Sequence, residues 1–490
     1  VSSAAGGETV DSQVLVVGGG PVGVSAALMC ASRGMTAVVL ERATEVYNLP
    51  RAIVMDDEIQ RALAVAGTGD RLRAITSMLP GAEFIDTTGK RIIGFELPDD
   101  AGSANGYAPV VRYYQPELEA LLRAEARRTG VDLRLGAEVT EVGQDADGVW
   151  ARLVDGTTLH ANWLIAADGA ASPIRKSLGI AFEDQGFDQD WLVVDSELTV
   201  DDDAGLPRLC QQICDPARPS TFVPGHGRYR RWEFQLQQGE TREEMSSTER
   251  VWQLLSPWLQ PHQARIVRAV VYRFHATVAQ RFREGRIFLA GDAAHQTPPF
   301  LGQGLCAGMR DAANLAWKLQ LVEEGRASVG LFDTYDTERR PHAAGLVAHA
   351  VDMGRLIDQL AGRGGEQDGL QSAYGGHRPF PHLEAGMVTG DHPLVGRQAG
   401  NPFVGGRRLD EHVGAGFAVV VPARDRFAGS ALATWERLGA TVAETDALTG
   451  VAGDAAVVIR PDRYVAAVCA DAAALERDTA ILMRDASFLH

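Results

Sequence analysis

Gly18, Gly20 and Gly23 stand at the spacing GxGxxG, and a carboxylate, Glu41, follows 18 residues after the last of them. Glycines so placed allow a tight turn and a close main-chain approach to a pyrophosphate. A helix opening directly behind them, here at Pro21 and Val22, aims its amides at the same group. An acid at the end of the next strand can accept from ribose hydroxyls. Two more acids sit beside glycines at the ends of apolar runs: Asp168 before Gly169, and Asp292 after Gly291. Singly, each of these pairs suits an ordinary turn. The chemistry indicated is dinucleotide binding, and which dinucleotide is left open by these residues.

Such residues need a sheet to hold them. Val14 to Val17 reads as a buried strand before the glycines, and Ala37 to Leu40 as a second one after the helix, with Gly34 at the helix end. Trp163–Ala167 and Arg286–Ala290 read as two further buried strands, each delivering one of the acidic pairs. Asp56 is a good cap for a helix that follows the loop carrying Arg51. That arginine reads either as a solvated charge or as a contact to the diphosphate. A long helix is expected over roughly 305–324, because its apolar residues recur at helical spacing.

The bulk properties exclude several classes. A chain of 490 residues has room for two or three domains. Its net charge of −17 argues against nucleic acid or an anionic membrane as partner. No apolar run is long enough to span a bilayer. The first residues, VSSAAGGETVDSQ, lack the basic and apolar regions of a secretion signal and read as a short disordered lead-in. Cys30, Cys210, Cys214, Cys306 and Cys469 form neither a disulfide framework nor a metal set, so no metal is expected, and a reducing cytoplasm fits.

Five segments follow. Residues 1–185 and 281–355 read as two parts of one α/β dinucleotide-binding domain, and 186–280 as a β-sheet inserted between them. Residues 356–400, rich in Gly, Pro and His, read as a linking segment on the substrate side, and 401–490 as a third, small α/β domain. In RYRRWEFQL the strand period places Arg230, Trp232, Phe234 and Leu236 on one face, with Arg231, Glu233 and Gln235 on the other. Which face meets a ligand is open. Arg231 and Arg273 are candidates for an acidic substrate group, Tyr272, Phe274 and His275 are comparable candidates in the pocket, and a solvated sheet face is the plainer reading of either arginine.

Taken together and in this order, GGGPVG at 18–23, DGxxSxxR from Asp168 to Arg175 and GDAAHQTPPFLGQG at 291–304 resemble the single-component flavoprotein aromatic hydroxylases typified by 4-hydroxybenzoate hydroxylase. PRAIVMDDE at 50–58, GMRDAANLAWKL at 308–319 and RPDRYVAA at 460–467 resemble the 3-(3-hydroxyphenyl)propionate hydroxylase subgroup, so the likeness covers essentially the whole chain. The resemblance implies a Rossmann-like FAD-binding domain, an inserted β-sheet substrate domain and a thioredoxin-like C-terminal domain without a CxxC pair. It implies bound FAD, transient NAD(P)H and O2. A phenol, such as a hydroxyphenylpropionate-like acid or a larger polyketide-type phenol, would be hydroxylated through a flavin C(4a)-hydroperoxide. A halogenase is disfavoured by the lack of a Trp-x-Trp-x-x-Pro-like stretch. A non-catalytic nucleotide-binding protein is disfavoured by the intact acidic motifs.

On matching positions the resemblance implies that Gly18, Gly20, Pro21, Val22, Gly23, Glu41 and Arg42 hold the adenosine half of FAD. Arg51 would reach the diphosphate, Gln115 would lie near the ribityl or flavin, and Asp168 would belong to a motif shared by FAD and NAD(P)H. Asp292 would bind the ribityl chain. Pro298, Pro299, Gly302, Gln303, Gly304 and Leu305 would lie against the isoalloxazine, with a helix N-terminus favouring reduced-flavin charge. No acid–base triad is expected, because the flavin carries the chemistry. His295 reads as a packing residue, and Tyr272, His275 and Arg231 are the only weak catalytic candidates. One departure stands out: Cys306 occupies a place where many relatives have Asn. A homodimer is compatible with these features.

Overall fold

A computed structural model describes residues 11–46, 49–363, 380–485 and 488 of the chain. The lead-in up to residue 10 and much of the Gly/Pro/His-rich stretch, 364–379, lie outside the described residues.

Five strands form the parallel part of the first sheet, in the spatial order Ile287–Leu289, Thr158–Ala166, Ser12–Val17, Ala37–Glu41 and Asp132–Leu135. Val14, Leu15 and Val16 are fully buried, as strands covered on both faces by helices must be. Register decides what happens at one edge. Val17 pairs with both Ala166 and Leu40, and Ala166 pairs with Leu289. The chain therefore leaves these strands at one level, which brings Gly18, Glu41, Ala167–Asp168 and Gly291–Asp292 to one edge of the sheet. Glycine is required there by contact as well as by conformation. A Cβ at Gly18 (φ +106°) would lie 2.2 Å from the carbonyl oxygen of Ala167, and one at Gly23 would lie 2.0 Å from that of Gly18.

The first helix, Pro21–Ala31, packs between this sheet and the long helix Gly304–Glu323. A second long helix, Asp333–Leu360, runs on into the stretch read as linker and carries Pro341 inside it.

The second sheet has the order His295–Gln296, Ala264–Ala279, Phe182–Leu198, Tyr229–Gln235, Ser220–Pro224, Cys210–Ile213, Gly81–Ile85 and Arg91–Glu96. Its last two strands come from far earlier in the chain, and Gly81–Ile85 joins Cys210–Ile213 in parallel. Trp232, Phe234, Leu192 and Val194 cover one face of this sheet and pack with Val251 and Leu255 of the short helix Thr248–Leu255. The opposite face turns toward the edge of the first sheet.

In the C-terminal part the strand order is Thr441–Glu444, Ala418–Val421, Ala456–Ile459 and Val465–Cys469. The first pair is parallel and the rest antiparallel, with helices Ser430–Arg437 and Ala472–Asp485. In chain numbering this is the 2-1-3-4 order of a thioredoxin-like fold. Its core is shared rather than separate. Trp317 and Leu321 of the long helix pack with Phe417, Trp435 and Val419, the Trp317 and Phe417 rings meeting edge to face at 5.5 Å.

Candidate active site

A cavity of about 750 Å³ lies between the two sheets. On one side it is lined by Gly20, Pro21, Val22 and Gly23, Arg51, Gln115, Ala167, Gly169, Ala290 and Asp292, and by Pro299, Phe300, Gly302, Gly304 and Leu305. Two helix N-termini open on this side, and neither has a side-chain cap or an acid in its first turn. Uncapped first-turn amides need a partner from outside the helix, and their partial positive charge favours an anion. A Cβ built at Gly20 or Gly304 would meet nothing within 4 Å, so the main chain lies open at both ends.

Asp292 faces the cavity and accepts no hydrogen bond from any described residue. Burial pushes its carboxyl above the usual carboxylate range, with His295 and Arg51 opposing. Its backbone turn is held from behind. The Asp311 carboxylate, on the long helix, accepts from the Gly291 amide at 3.1 Å, pairs with His295 Nε2 at 2.7 Å and accepts from Arg339 Nε at 2.9 Å. Although burial acts to raise it, the carboxyl of Asp311 lies below the ordinary range because His295 and Arg339 outweigh the burial. His295 therefore packs beneath the turn, with its Nε2 engaged by Asp311.

Glu41 accepts from the Gly19 amide at 2.6 Å and the Ala43 amide at 2.7 Å, so it braces the glycine turn while holding the end of its strand. Arg42 is exposed beside it. Gln115 is buried; its Oε1 accepts from the amides of Arg51 and Ala52 at 2.8 and 2.6 Å, which fixes the loop that carries Arg51. Asp168 turns away from the cavity and accepts from the Ser172 hydroxyl at 2.6 Å and the Ile174 amide at 3.2 Å. Burial raises its carboxyl and these bonds lower it, leaving it above the ordinary range. Gln303 also turns inward, accepting from Arg310 Nη1 at 3.0 Å.

Arg310 was not singled out by the sequence, yet it joins two stretches that were. It donates to Asp56 at 2.5 Å and Glu58 at 2.6 Å, clamping the start of helix Asp57–Val65 to the start of the long helix. Asp56 caps the former through the Ile59 amide, as its position suggested. Cys306 is wholly buried and its thiol is raised by burial; it does not line the cavity, so the replacement leaves the helix-end amides as they are.

On the other side the cavity is walled by the second sheet, through Ala82, Phe84, Ile93, Phe95, Cys210, Gln212, Thr221, Val223, Arg231 and Glu233. The face left open by the strand period is thus the one carrying Arg231 and Glu233. The remaining candidates are not brought here. Tyr272 accepts from Arg268 at 3.0 Å and does not line the cavity. His275 is about half exposed, 3.8 Å from Asp188, and Arg273 pairs with that same aspartate at the surface. Both point away because the strand alternation sends them to the solvent side. Phe274 packs edge-on to Phe300, which lines the cavity.

These residues fit FAD. The glycine turn and first helix end suit a diphosphate, the partnerless Asp292 suits a polyol chain, and the second helix end suits a ring system that becomes negative on reduction. A family model described as an FAD binding domain matches residues 11–350. A probable NADH-specific resorcinol 4-hydroxylase of Rhodococcus jostii is 32% identical, over 96% of this chain and 94% of its own. A 3-(3-hydroxy-phenyl)propionate/3-hydroxycinnamic acid hydroxylase of a Mycobacterium species is also 32% identical, over 97% and 92%. Among solved structures, aklavinone-11 hydroxylase in complex with FAD and aklavinone superposes with a TM-score of 0.80 at 26% identity, covering 98% of this chain and 99% of that one. The chain belongs to this FAD-binding family and is an FAD-dependent aromatic hydroxylase, a monooxygenase that uses NAD(P)H.

Proposed function

We propose that the two walls divide the work: the first sheet's edge holds FAD, and the second sheet holds a phenol against the end of the flavin. The observation that carries this is the pair of uncapped helix N-termini and the partnerless Asp292 opening on one cavity. Bound FAD supplies the redox chemistry, taking a hydride from NAD(P)H and activating O2. The protein's share is binding and orientation. The turn Gly18–Gly23, with Pro21 and Val22, receives the diphosphate, and Arg51 adds positive charge. Glu41 keeps lone pairs for the adenosine ribose, and exposed Arg42 flanks it. Asp292 takes ribityl hydroxyls. Pro299, Gly302 and Gly304–Leu305 meet the ring, with Gln303 contributing main chain only. Asp168 shapes the turn at Gly169 from behind rather than touching the ligand.

A wall of apolar side chains, Phe84, Ile93, Phe95 and Val223, excludes water from the substrate's ring. A second reading of the substrate is a polycyclic polyketide-type phenol, supported by the likeness over 98% of the chain to aklavinone-11 hydroxylase in complex with aklavinone. In the same proposal, residues 1–185 with 281–355 act as the cofactor domain and lend the strands Gly81–Ile85 and Arg91–Glu96 to the substrate domain, 186–280, with 401–490 as a packing domain. No described helix is long and apolar enough to cross a membrane, and a cytoplasmic place fits the five free thiols.

The purified protein is expected to be yellow and to oxidise NADH or NADPH faster when a phenol is present, with stoichiometric hydroxylated product. A colourless protein that FAD does not reconstitute would refute the assignment. Asp292→Ala is expected to weaken FAD by about 10- to 100-fold, the scale of a lost hydrogen bond to a charged group. Flavin release on gel filtration measures this.

A further inference from the structure

The substrate wall contains an acid that the chemistry above does not use. Across the second sheet, Glu233 stands opposite Thr221, Thr221 opposite Gln212, Gln212 opposite Phe84, and Phe84 opposite Ile93. Side chains one row apart on the same face are neighbours, so these five residues form one band across the wall, and all five line the cavity. Glu233 is 6% exposed and accepts no hydrogen bond from any described residue. Its nearest charged neighbour, Arg231 Nη1, is 3.9 Å away, beyond hydrogen-bond reach.

Arg231 itself has one donor left, on Nη1. Of the five donors of a guanidinium, four are engaged: with Asp195 at 2.7 and 3.2 Å, with the Arg51 carbonyl at 2.6 Å and with the Pro50 carbonyl at 3.0 Å. It pins the Arg51 loop to the sheet. Thr221 gives its proton to Gln212 Oε1 at 2.7 Å, and Gln212 Nε2 donates to the Ser220 carbonyl at 3.0 Å. Apart from the second Nε2–H of Gln212, the band therefore presents acceptors to the cavity: a carboxylate and a hydroxyl lone pair. The other acid on this wall, Glu83, is held by Arg91 and Gln211.

Acceptors in a buried wall need donors. A hydroxyl on an aromatic ring supplies one, whereas a carboxylate supplies none and is repelled. We infer that Glu233 binds the ring hydroxyl of an uncharged phenol and takes its proton, so that this chain selects neutral phenols over aryl carboxylic acids. The inference rests on the flavin hydroxylase reading of the cavity. In the step, the substrate O–H bond breaks, the proton moves to a Glu233 oxygen, and the electron pair stays on the phenolic oxygen, where it enriches the ring for attack on the activated oxygen. The groups that set the charge of Glu233 are Arg231 on its own strand, Asp195 on Phe182–Leu198 and Arg268 on Ala264–Ala279. Burial dominates over these and lifts the carboxyl above its usual range, toward what a proton acceptor needs near neutrality.

The test compares FAD-loaded wild type with Glu233→Gln, which keeps the shape, using resorcinol and 3-(3-hydroxyphenyl)propionate. Binding is read from the change in the flavin absorption spectrum and turnover from hydroxylated product. Wild type is expected to favour resorcinol by at least 100-fold in kcat/KM, with activity falling as pH drops through the raised pKa of Glu233. The variant is expected to keep its flavin content and melting temperature, lose at least tenfold in kcat with resorcinol, and lose the acid limb of the profile. It should also bind the acid more tightly than wild type does. An unchanged kcat and pH profile in the variant, or a wild type that prefers the acid, overturns the inference while leaving the hydroxylase reading intact. Failure of both compounds, and of every other phenol, to be hydroxylated would overturn both.

Discussion

The two walls of the cavity are built from different material. The cofactor wall is mostly main chain: a glycine turn, two helix ends and the exits of parallel strands. The wall proposed for the substrate is side chain on a sheet that is antiparallel but for one pair, where residues alternate between the faces. The first kind of wall has few ways to change, since Gly18 and Gly23 are each fixed by a neighbouring carbonyl. The second changes chemistry with a single substitution and leaves the backbone alone.

The largest effect is expected at a residue that ties the helix opening at Gly304 to the start of helix Asp57–Val65. Arg310→Ala strands Asp56 and Glu58 without their cation, and removal of one partner of a buried pair costs about 3–5 kcal/mol. Urea unfolding should show a lower midpoint, and flavin content should fall with it. A retained midpoint would mean that Arg310 does not hold the two helices together. Next comes Gly18→Ala, with about 1–3 kcal/mol of backbone strain before any clash with Ala167 is counted. Here the absorbance ratio of flavin to protein should drop more than tenfold, and normal flavin content would refute the close-approach account.

The substrate wall should respond in the opposite way. Phe84→Ala is expected to leave flavin content within about twofold, yet to raise the KM for phenols by about tenfold, the scale of a lost aromatic contact of 1–2 kcal/mol. Steady-state kinetics with flavin quantified in parallel separates the two. Smallest is an effect of pH on the sheet's outer edge. Glu240 is held down to about 2 by its hydrogen bonds to Arg218 against the opposing effect of burial, with the Gln237 amide and Arg250 adding to it. A carboxyl depressed in the folded state stabilises fully above its unfolded pKa and loses that contribution as pH falls from about 4.5 to about 2. Glu240→Gln should flatten this part of the acid melting curve, and an unchanged acid slope would count against the pair.

The same contrast explains what was legible in the sequence. Gly18–Gly23, Glu41, Asp168 and Asp292 were found because strand, turn and helix leave short-range marks, and all of them converge on one sheet edge. Arg231 was noticed, but its partners Asp195 and the Pro50–Arg51 carbonyls are remote in sequence, so its spent donors were not. His275 and Arg273 lie on the strand face that meets solvent, which period alone does not identify. The Gly81–Glu96 hairpin joins a sheet more than a hundred residues later in the chain, and no local signal marks such a pairing. The stretches 50–58, 308–319 and 460–467 meet through Arg310, Glu58 and the Tyr464 hydroxyl, which donates to Glu58 at 2.8 Å. Much of the likeness they carry therefore reflects domain packing rather than the reaction.

The shared core around Trp317 has a consequence for how the enzyme comes into being. The helix that opens at Gly304 buries its far end against residues much later in the chain, from Phe417 onward. During synthesis, domains normally close in order from the N-terminus. Here the helix can pack on Pro21–Ala31 early, but its far end, at Trp317 and Leu321, stays uncovered until those later residues are made. The flavin site and the C-terminal part are thereby coupled in folding, and a chain cut before Phe417 should show it as a lower flavin content.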